Sequence, residues 1–176
     1  LGPDGWVYLA ERGRILRVKD TDGDGKGDLE ETLAALDTLA DYPHNGLSGM
    51  AWHPDSGLVF SLGENFGNDW TLTATDGSQV KGRGEGGVFR CTPDGKQMRR
   101  IARGFWNPFG LAVTEFGEIF AAENDPGSRP PCRLLHVVVD DHRHRARDLE
   151  VVPGAAGTRP GEALGQRVAV EAVGPG

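Results

Sequence analysis

Residues 20–31, DTDGDGKGDLEE, concentrate carboxylates at a spacing that suits a hard divalent cation. Asp20, Asp22, Asp24, Asp28 and Glu31 fall at the first, third, fifth, ninth and twelfth places of a calcium-type loop. Lys26 holds the seventh place, where the backbone carbonyl is the ligand, and Gly25 supplies the sharp turn at the sixth. Helical flanks are missing from the pattern. Residues 13–19 read as a strand through Ile15, Leu16 and Val18, and Asp4-Gly5 before them reads as a turn. The expectation is a calcium-ordered loop in a β-protein; a solvated acidic turn between strands is the alternative.

Other chemical signals are thinner. His142 and His144 form an HxH pair without partner ligands. Residues 82–87, GRGEGG, share only glycine content with a phosphate loop, lack the Lys-Ser/Thr pair, and read as a flexible hairpin loop. No serine nucleophile motif is present in the sequence. His44, before Asn45-Gly46, could take a proton near neutral pH, and equally suits a loop or capping role.

Bulk properties narrow the partners. A formal net charge of −7 and a pI near 5.2 argue against nucleic acid, whose phosphates need a basic face. No apolar run approaches the roughly 20 residues that cross a bilayer, so no membrane contact is expected from this segment. The chain opens at Leu1 inside a turn-and-strand pattern, as an internal fragment would. Cys91 and Cys132 are too far apart in sequence for a zinc knuckle or a redox pair; two buried thiols are expected, with one disulfide as the alternative.

The elements that must position these groups are strands. Glycine (27 of 176 residues) sits mostly beside Pro, Asp or Asn, punctuating a β-rich chain. A unit of strand, PDG-type turn and strand recurs, with Gly5, Gly57 and Gly117 as its aligned glycines. Residues 49–52 and 110–113 supply the strand before the second and third turns, and further strands are expected at 87–91 and 98–102 around a turn at 92–95. Strands apolar at consecutive positions are buried on both faces, as in the blades of a propeller. The fold class expected is all-β, a partial β-propeller of about three blades across residues 1–139, too few to close a ring of roughly four to eight. From residue 140 to 176 the composition turns to Gly, Ala, Arg and Pro without aromatics, so that segment is expected not to be blade.

Two segments then resemble a known family. His44-Asn45-Gly46-Leu47 leads to Pro54-Asp55 and then Ser61-Leu62-Gly63-Glu64-Asn65-Phe66-Gly67-Asn68, and Trp106-Asn107-Pro108-Phe109-Gly110-Leu111-Ala112 leads to Ala122-Glu123-Asn124-Asp125-Pro126 and an RPPCRL stretch. This order is similar to the glucose/sorbosone dehydrogenase family, six-bladed propellers that bind pyrroloquinoline quinone (PQQ). Within that likeness it resembles the membrane-bound dehydrogenase group of planctomycete-type bacteria, over roughly residues 1–138.

The resemblance implies an oxidoreductase that passes hydride from a sugar or related alcohol to the quinone. His44 would be the base, with Trp106, Asn107, Asn124 and Arg129 as cofactor contacts. Asp125 and Pro126 would lie where family members hold calcium through backbone carbonyls. It further implies a periplasmic or envelope location and room for a haem domain or membrane anchor in a longer parent. One departure matters: Trp106 stands where active members carry an arginine, and an indole can stack on a quinone but cannot neutralise its charge. A non-catalytic, calcium-stabilised propeller that binds carbohydrate or protein is the alternative, and a calcium-dependent hydrolase on a similar propeller is a third reading.

Overall fold

The computed structural model describes residues 1–42, 45–124 and 132–138, together with two short strands, Arg147–Asp148 and Ala169–Val170. Over the described residues the chain is all-β, with twelve strands before those two: β1 (Val7–Glu11), β2 (Arg14–Lys19), β3 (Leu29–Thr38), β4 (Leu47–Trp52), β5 (Leu58–Leu62), β6 (Asp69–Ala74), β7 (Gln79–Arg83), β8 (Gly86–Cys91), β9 (Arg99–Phe105), β10 (Gly110–Val113), β11 (Ile119–Asn124) and β12 (Cys132–Val137). They form three antiparallel sheets, β1-β2-β3-β6-β7, β4-β5-β8-β9 and β10-β11-β12. The expected strands at 13–19, 49–52, 87–91, 98–102 and 110–113 all lie in strands of this set.

Side-chain alternation on the central sheet explains the stacking. In β5, Leu58, Phe60 and Leu62 join Ile15, Leu33, Trp70 and Leu72 of the first sheet in one apolar cluster. Val59, between them, points the other way and joins Val88 and Ile101 with Ile119, Ala121 and Leu135 of the third sheet in a second cluster. Successive residues on a strand serve opposite faces. Because both faces of β5 are covered, its whole length is apolar or satisfied: Ser61, at 0% exposure, donates to the Pro108 carbonyl at 2.5 Å and meets Ser48 at 3.1 Å. The result is a side-by-side stack with the central sheet shared, a partial propeller-like arrangement with no closed ring among the described residues.

Two sequence expectations are corrected. Residues 82–87 do not form a hairpin loop. β7 ends in the first sheet and β8 begins in the second, so this segment crosses between sheets. Gly84 is pinned by backbone bonds to Asn65 and Asn68 (2.7 and 2.9 Å), and Gly86-Gly87 already belong to β8. The β6–β7 hairpin thus leaves the second sheet after β5 and extends the first beyond β3. The cysteines are both free, and only Cys91 is the buried thiol expected, with burial pushing its pKa up to about 12; Cys132 is exposed.

The repeat also shifts by one residue. Five turns share one bonding pattern, in which the first residue donates to the fifth and the fourth donates back to the first: residues 2–6, 53–57, 74–78, 92–96 and 114–118. The fourth residue has positive φ in each, namely Gly5, Ser56, Gly77, Gly95 and Gly117. Gly5 and Gly117 are therefore equivalent to Ser56, not to Gly57. In HPDSG the glycine stands one place later, at the fifth residue, and Ser56 holds the left-handed place that Gly5 and Gly117 occupy, so glycine identity does not mark the equivalent position.

Ser56, at φ 70°, is the one member of the set that carries a Cβ in the left-handed region, which costs an L-residue roughly 1–2 kcal/mol. Ser56→Gly is expected to leave the fold unchanged and raise thermal stability by up to about 1 kcal/mol. Differential scanning calorimetry reads this directly, and a lower melting temperature for the variant would contradict the assigned turn.

Candidate functional site

At the end of the sheets opposite these turns, three strand-to-strand connections converge. β1 and β2 are joined through Arg12-Gly13, β5 runs into Gly63-Glu64-Asn65, and β10 is entered through Trp106-Asn107-Pro108. Backbone bonds tie them: Leu47 N–H of the second sheet donates to the Arg12 carbonyl beside the first (2.9 Å), Gly63 N–H to Gly46 at the end of the β4–β5 pair (3.1 Å), and Glu64 N–H to Trp106 (2.6 Å). Close approach requires small residues here. A Cβ on Gly46 would lie 2.5 Å from the Arg12 carbonyl oxygen.

Asparagines fasten this rim. Asn45 Nδ2 donates to the Glu64 carbonyl, Asn107 Nδ2 to Asn124 Oδ1 (2.7 Å), and Asn65 Nδ2 to the Gly63 carbonyl (2.8 Å). Asn45, Asn65 and Asn107 are 4%, 0% and 5% exposed. Two of their oxygens, Asn65 Oδ1 and Asn107 Oδ1, are buried acceptors without a partner among the described residues. A buried acceptor left unmatched costs about 1–3 kcal/mol. Beneath Trp106, Glu123 is fully buried and bonds Arg133 across the β11–β12 register while accepting the Trp106 backbone N–H at 3.2 Å. Breaking a buried ion pair from one side typically costs ~3–5 kcal/mol, because the other charge is left uncompensated. The pair therefore fixes the backbone that carries Trp106 and Asn107.

Aromatic rings line the open side. Phe66 meets Tyr42 edge-on at 5.2 Å between centroids and Trp106 at 5.9 Å, with interplanar angles of 80° and 82°. Phe66 is 50% and Tyr42 45% exposed. Around Phe66, Glu64 accepts the backbone N–H groups of Phe66 (2.7 Å) and Gly67 (3.0 Å), which holds Phe66 at its positive φ of 51°. A polar cleft of about 400 Å³ opens alongside, lined by Asp37, Thr38, Leu39, Gly67, Asn68, Asp69 and Arg83.

Of the residues expected from sequence, Trp106, Asn107 and Asn124 are brought together here. His44, Asp125, Pro126 and Arg129 lie outside the described residues, as do His142 and His144. Sequence reasoning missed Tyr42, Asn65, Phe66 and the Glu123–Arg133 pair. The Glu-Asn dipeptide that ends both copies, Glu64-Asn65 and Glu123-Asn124, was the available signal for the rim.

The acidic loop lies between β2 and β3, away from this rim. Asp20, Asp22 and Asp28 bring carboxylate oxygens within 4.8 Å of one another, all exposed. Asp20 accepts the backbone N–H groups of Gly23 and Gly25 (2.7 and 2.9 Å). Asp28 takes both donors of Thr21, which lowers its pKa, and Asp24 is lowered by Lys26, whose ammonium sits at 2.8 Å. Glu31 does not join the group. β3 begins at Leu29, and the extended strand carries Glu31 to a position opposite Arg17, whose guanidinium it binds at 2.6 Å. A helix after the loop would have folded that carboxylate back; a strand, rising about 3.3 Å per residue, takes it away.

PQQ, which the resemblance implies, would need cations at the rim. That quinone carries three carboxylates, and the arginines placed at the rim are already committed, Arg12 to Asp41 (3.0 Å) and Arg133 to Glu123. Unpartnered amide oxygens would face the quinone's carboxylates with acceptors, not donors. Both the oxygens and the ring edges suit an uncharged ligand that brings hydroxyl donors.

The fold and rim together define an all-β protein of stacked, propeller-like sheets with an amide-and-aromatic site at one end. Residues 2–170 match the family described as Domain of unknown function (DUF7133), and the chain belongs to that family. No curated protein matches the chain.

Proposed function

We propose that the rim binds a sugar or related alcohol. The observation that carries this reading is the pairing of exposed aromatic rings, Tyr42, Phe66 and half-buried Trp106, with the buried, unpartnered oxygens of Asn65 and Asn107. Polyols offer apolar C–H faces to rings and O–H donors to amide acceptors, so both halves of the site are matched by one ligand class. Oxidation of that ligand, with His44 as base, remains the reading that the family resemblance adds; the described residues supply no cation for a trianionic quinone, and no step is assigned to it. The exposed Asp20–Asp22–Asp28 group supports a second proposal, calcium held in the β2–β3 loop by these carboxylates without Glu31.

One calorimetric series tests the proposals. The chain is titrated with a panel of hexoses, pentoses and alditols, and the best binder is repeated on Phe66→Ala and Asn107→Ala. Each variant is expected to weaken binding about tenfold or more, as lost stacking or an unmatched acceptor would. Absence of binding across the panel, or unchanged affinity in both variants, contradicts the carbohydrate reading. Titration with calcium is expected to show uptake that Asp20→Asn/Asp28→Asn abolishes and Glu31→Gln leaves intact; equal uptake by the wild type and the double variant removes the metal. A dye-reduction assay with added quinone separates oxidation from binding alone, since only oxidation gives a rate and His44→Ala would remove it.

A further inference from the structure

Two connections that build the rim also build the cleft beside it. The β3–β4 connection carries Leu39 to the cleft and Tyr42 to the rim, and residues 64–69 carry Phe66 to the rim and Gly67, Asn68 and Asp69 to the cleft. Rim and cleft are therefore continuous along both connections. The second of these is held from several sides. Asn68 donates to the Asn65 carbonyl through its backbone N–H and through Nδ2, both at 2.9 Å, and its own carbonyl accepts the Gly84 N–H at 2.9 Å. Arg83 Nε donates to the Gly67 carbonyl, also at 2.9 Å. From the other side, Thr38 Oγ1 donates to the Asp69 carbonyl at 3.1 Å. A cleft fastened in this way has its shape before a ligand arrives, which keeps the cost of ordering it at binding small.

The chemistry of the cleft differs from that of the rim. Asp37 and Asp69 supply carboxylates, Arg83 a guanidinium 3.9 Å from Asp69, and Leu39, 90% exposed, an apolar edge. Carboxylates accept hydrogen bonds and a guanidinium donates them, so a ligand group that does both is matched on both counts. Hydroxyls are such groups. A phosphate or carboxylate ligand would instead face two like charges with one guanidinium against them among the lining residues. At about 400 Å³ the cleft falls within the ~300–1,000 Å³ of small-ligand sites.

We infer that the ligand of the rim is an oligosaccharide, one unit lying against Phe66 and Trp106 and the next lying in the cleft between Asp37 and Asp69. The inference rests on the rim being a carbohydrate site and extends that site from a single sugar to a chain. Phe66, half-exposed, is where the two parts meet, since Gly67 next to it already lines the cleft. A second unit joined to the first makes its contacts without a second loss of translational and rotational freedom, so affinity rises with chain length until the cleft is filled.

The test is calorimetric titration of the full chain with sugars of increasing length: glucose, cellobiose and cellotriose; glucose, maltose and maltotriose; xylose and xylobiose; mannose and mannobiose. In one series the disaccharide is expected to bind about tenfold or more tightly than its monosaccharide, the effect of one or two hydrogen bonds to charged groups. Asp37→Ala/Asp69→Ala is expected to bring that ratio to about one. Both side chains are exposed on strands, so the double variant keeps the fold, which an unchanged circular dichroism spectrum checks. Phe66→Ala is expected to weaken both members of the series. A monosaccharide that binds with no gain along any series overturns the inference and leaves the rim reading standing, whereas no binding by any of these sugars overturns both. A gain that survives the double variant puts the second unit elsewhere and overturns the cleft as its site.

Discussion

The structure depends on one sheet having two apolar faces. Leu58, Phe60, Leu62 and Phe89 on one side and Val59 and Val88 on the other give the central sheet a core in each direction. Phe60 and Phe89 stack at 5.6 Å, and Trp70 from the β6–β7 excursion meets Phe89 edge-on at 5.8 Å. Each large side chain buried in this way is worth about 1.5–3 kcal/mol. The excursion of β6–β7 into the first sheet becomes intelligible on the same ground. It delivers Trp70, Leu72 and Ala74 to the cluster that the short strands β1 and β2 could not fill alone.

The rim follows from that stacking. Side-by-side sheets bring their strand ends together at two poles, and the two poles are built differently. One carries the repeated turns and is locked by local contacts: Tyr8 donates to Asp4 (2.7 Å) and to the Pro93 carbonyl (3.1 Å), and Arg17 donates to the same carbonyl at 3.0 Å. Burial and its neighbours push the Tyr8 pKa up to about 12, so this bridge between the first and second sheets keeps its proton through the ordinary pH range. The other pole has longer connections, fastened by asparagine amides and by the Glu123–Arg133 pair. Rigid support under a partly open aromatic surface is what a binding site on a scaffold requires.

Much of the scaffold was legible in the sequence because propeller-like strands announce themselves locally. Gly-Leu-Ala-Val, Leu-Val-Phe-Ser-Leu and the Pro-Asp-Gly turns each encode their own backbone state. The crossing at residues 82–87 was not legible, since the glycines there serve close contacts that only the fold brings about: Trp70 packs over Gly82 in the β6–β7 pair, and Gly86 lies against the Leu62 carbonyl. Equivalence of the repeats was misjudged by one residue because Ser56 adopts a conformation that its type does not signal. Glu31 looked like a ligand on spacing alone, and spacing carries to geometry only when the following element is the one the motif assumes. Trp106, Asn107 and Asn124 were identifiable from the two matching segments; Phe66 lies within the first of them without a counterpart ring in the second, and Tyr42 lies before both.

The shared central sheet is most directly tested by native-state amide hydrogen exchange across the chain. If the central sheet is the common core, amides of β5 and β8 exchange slowest, at the free energy of global unfolding, and those of β2 and β11 exchange no more slowly. Slower exchange in β2 or β11 than in β5 would show a neighbouring sheet standing without the central one, and would contradict the account.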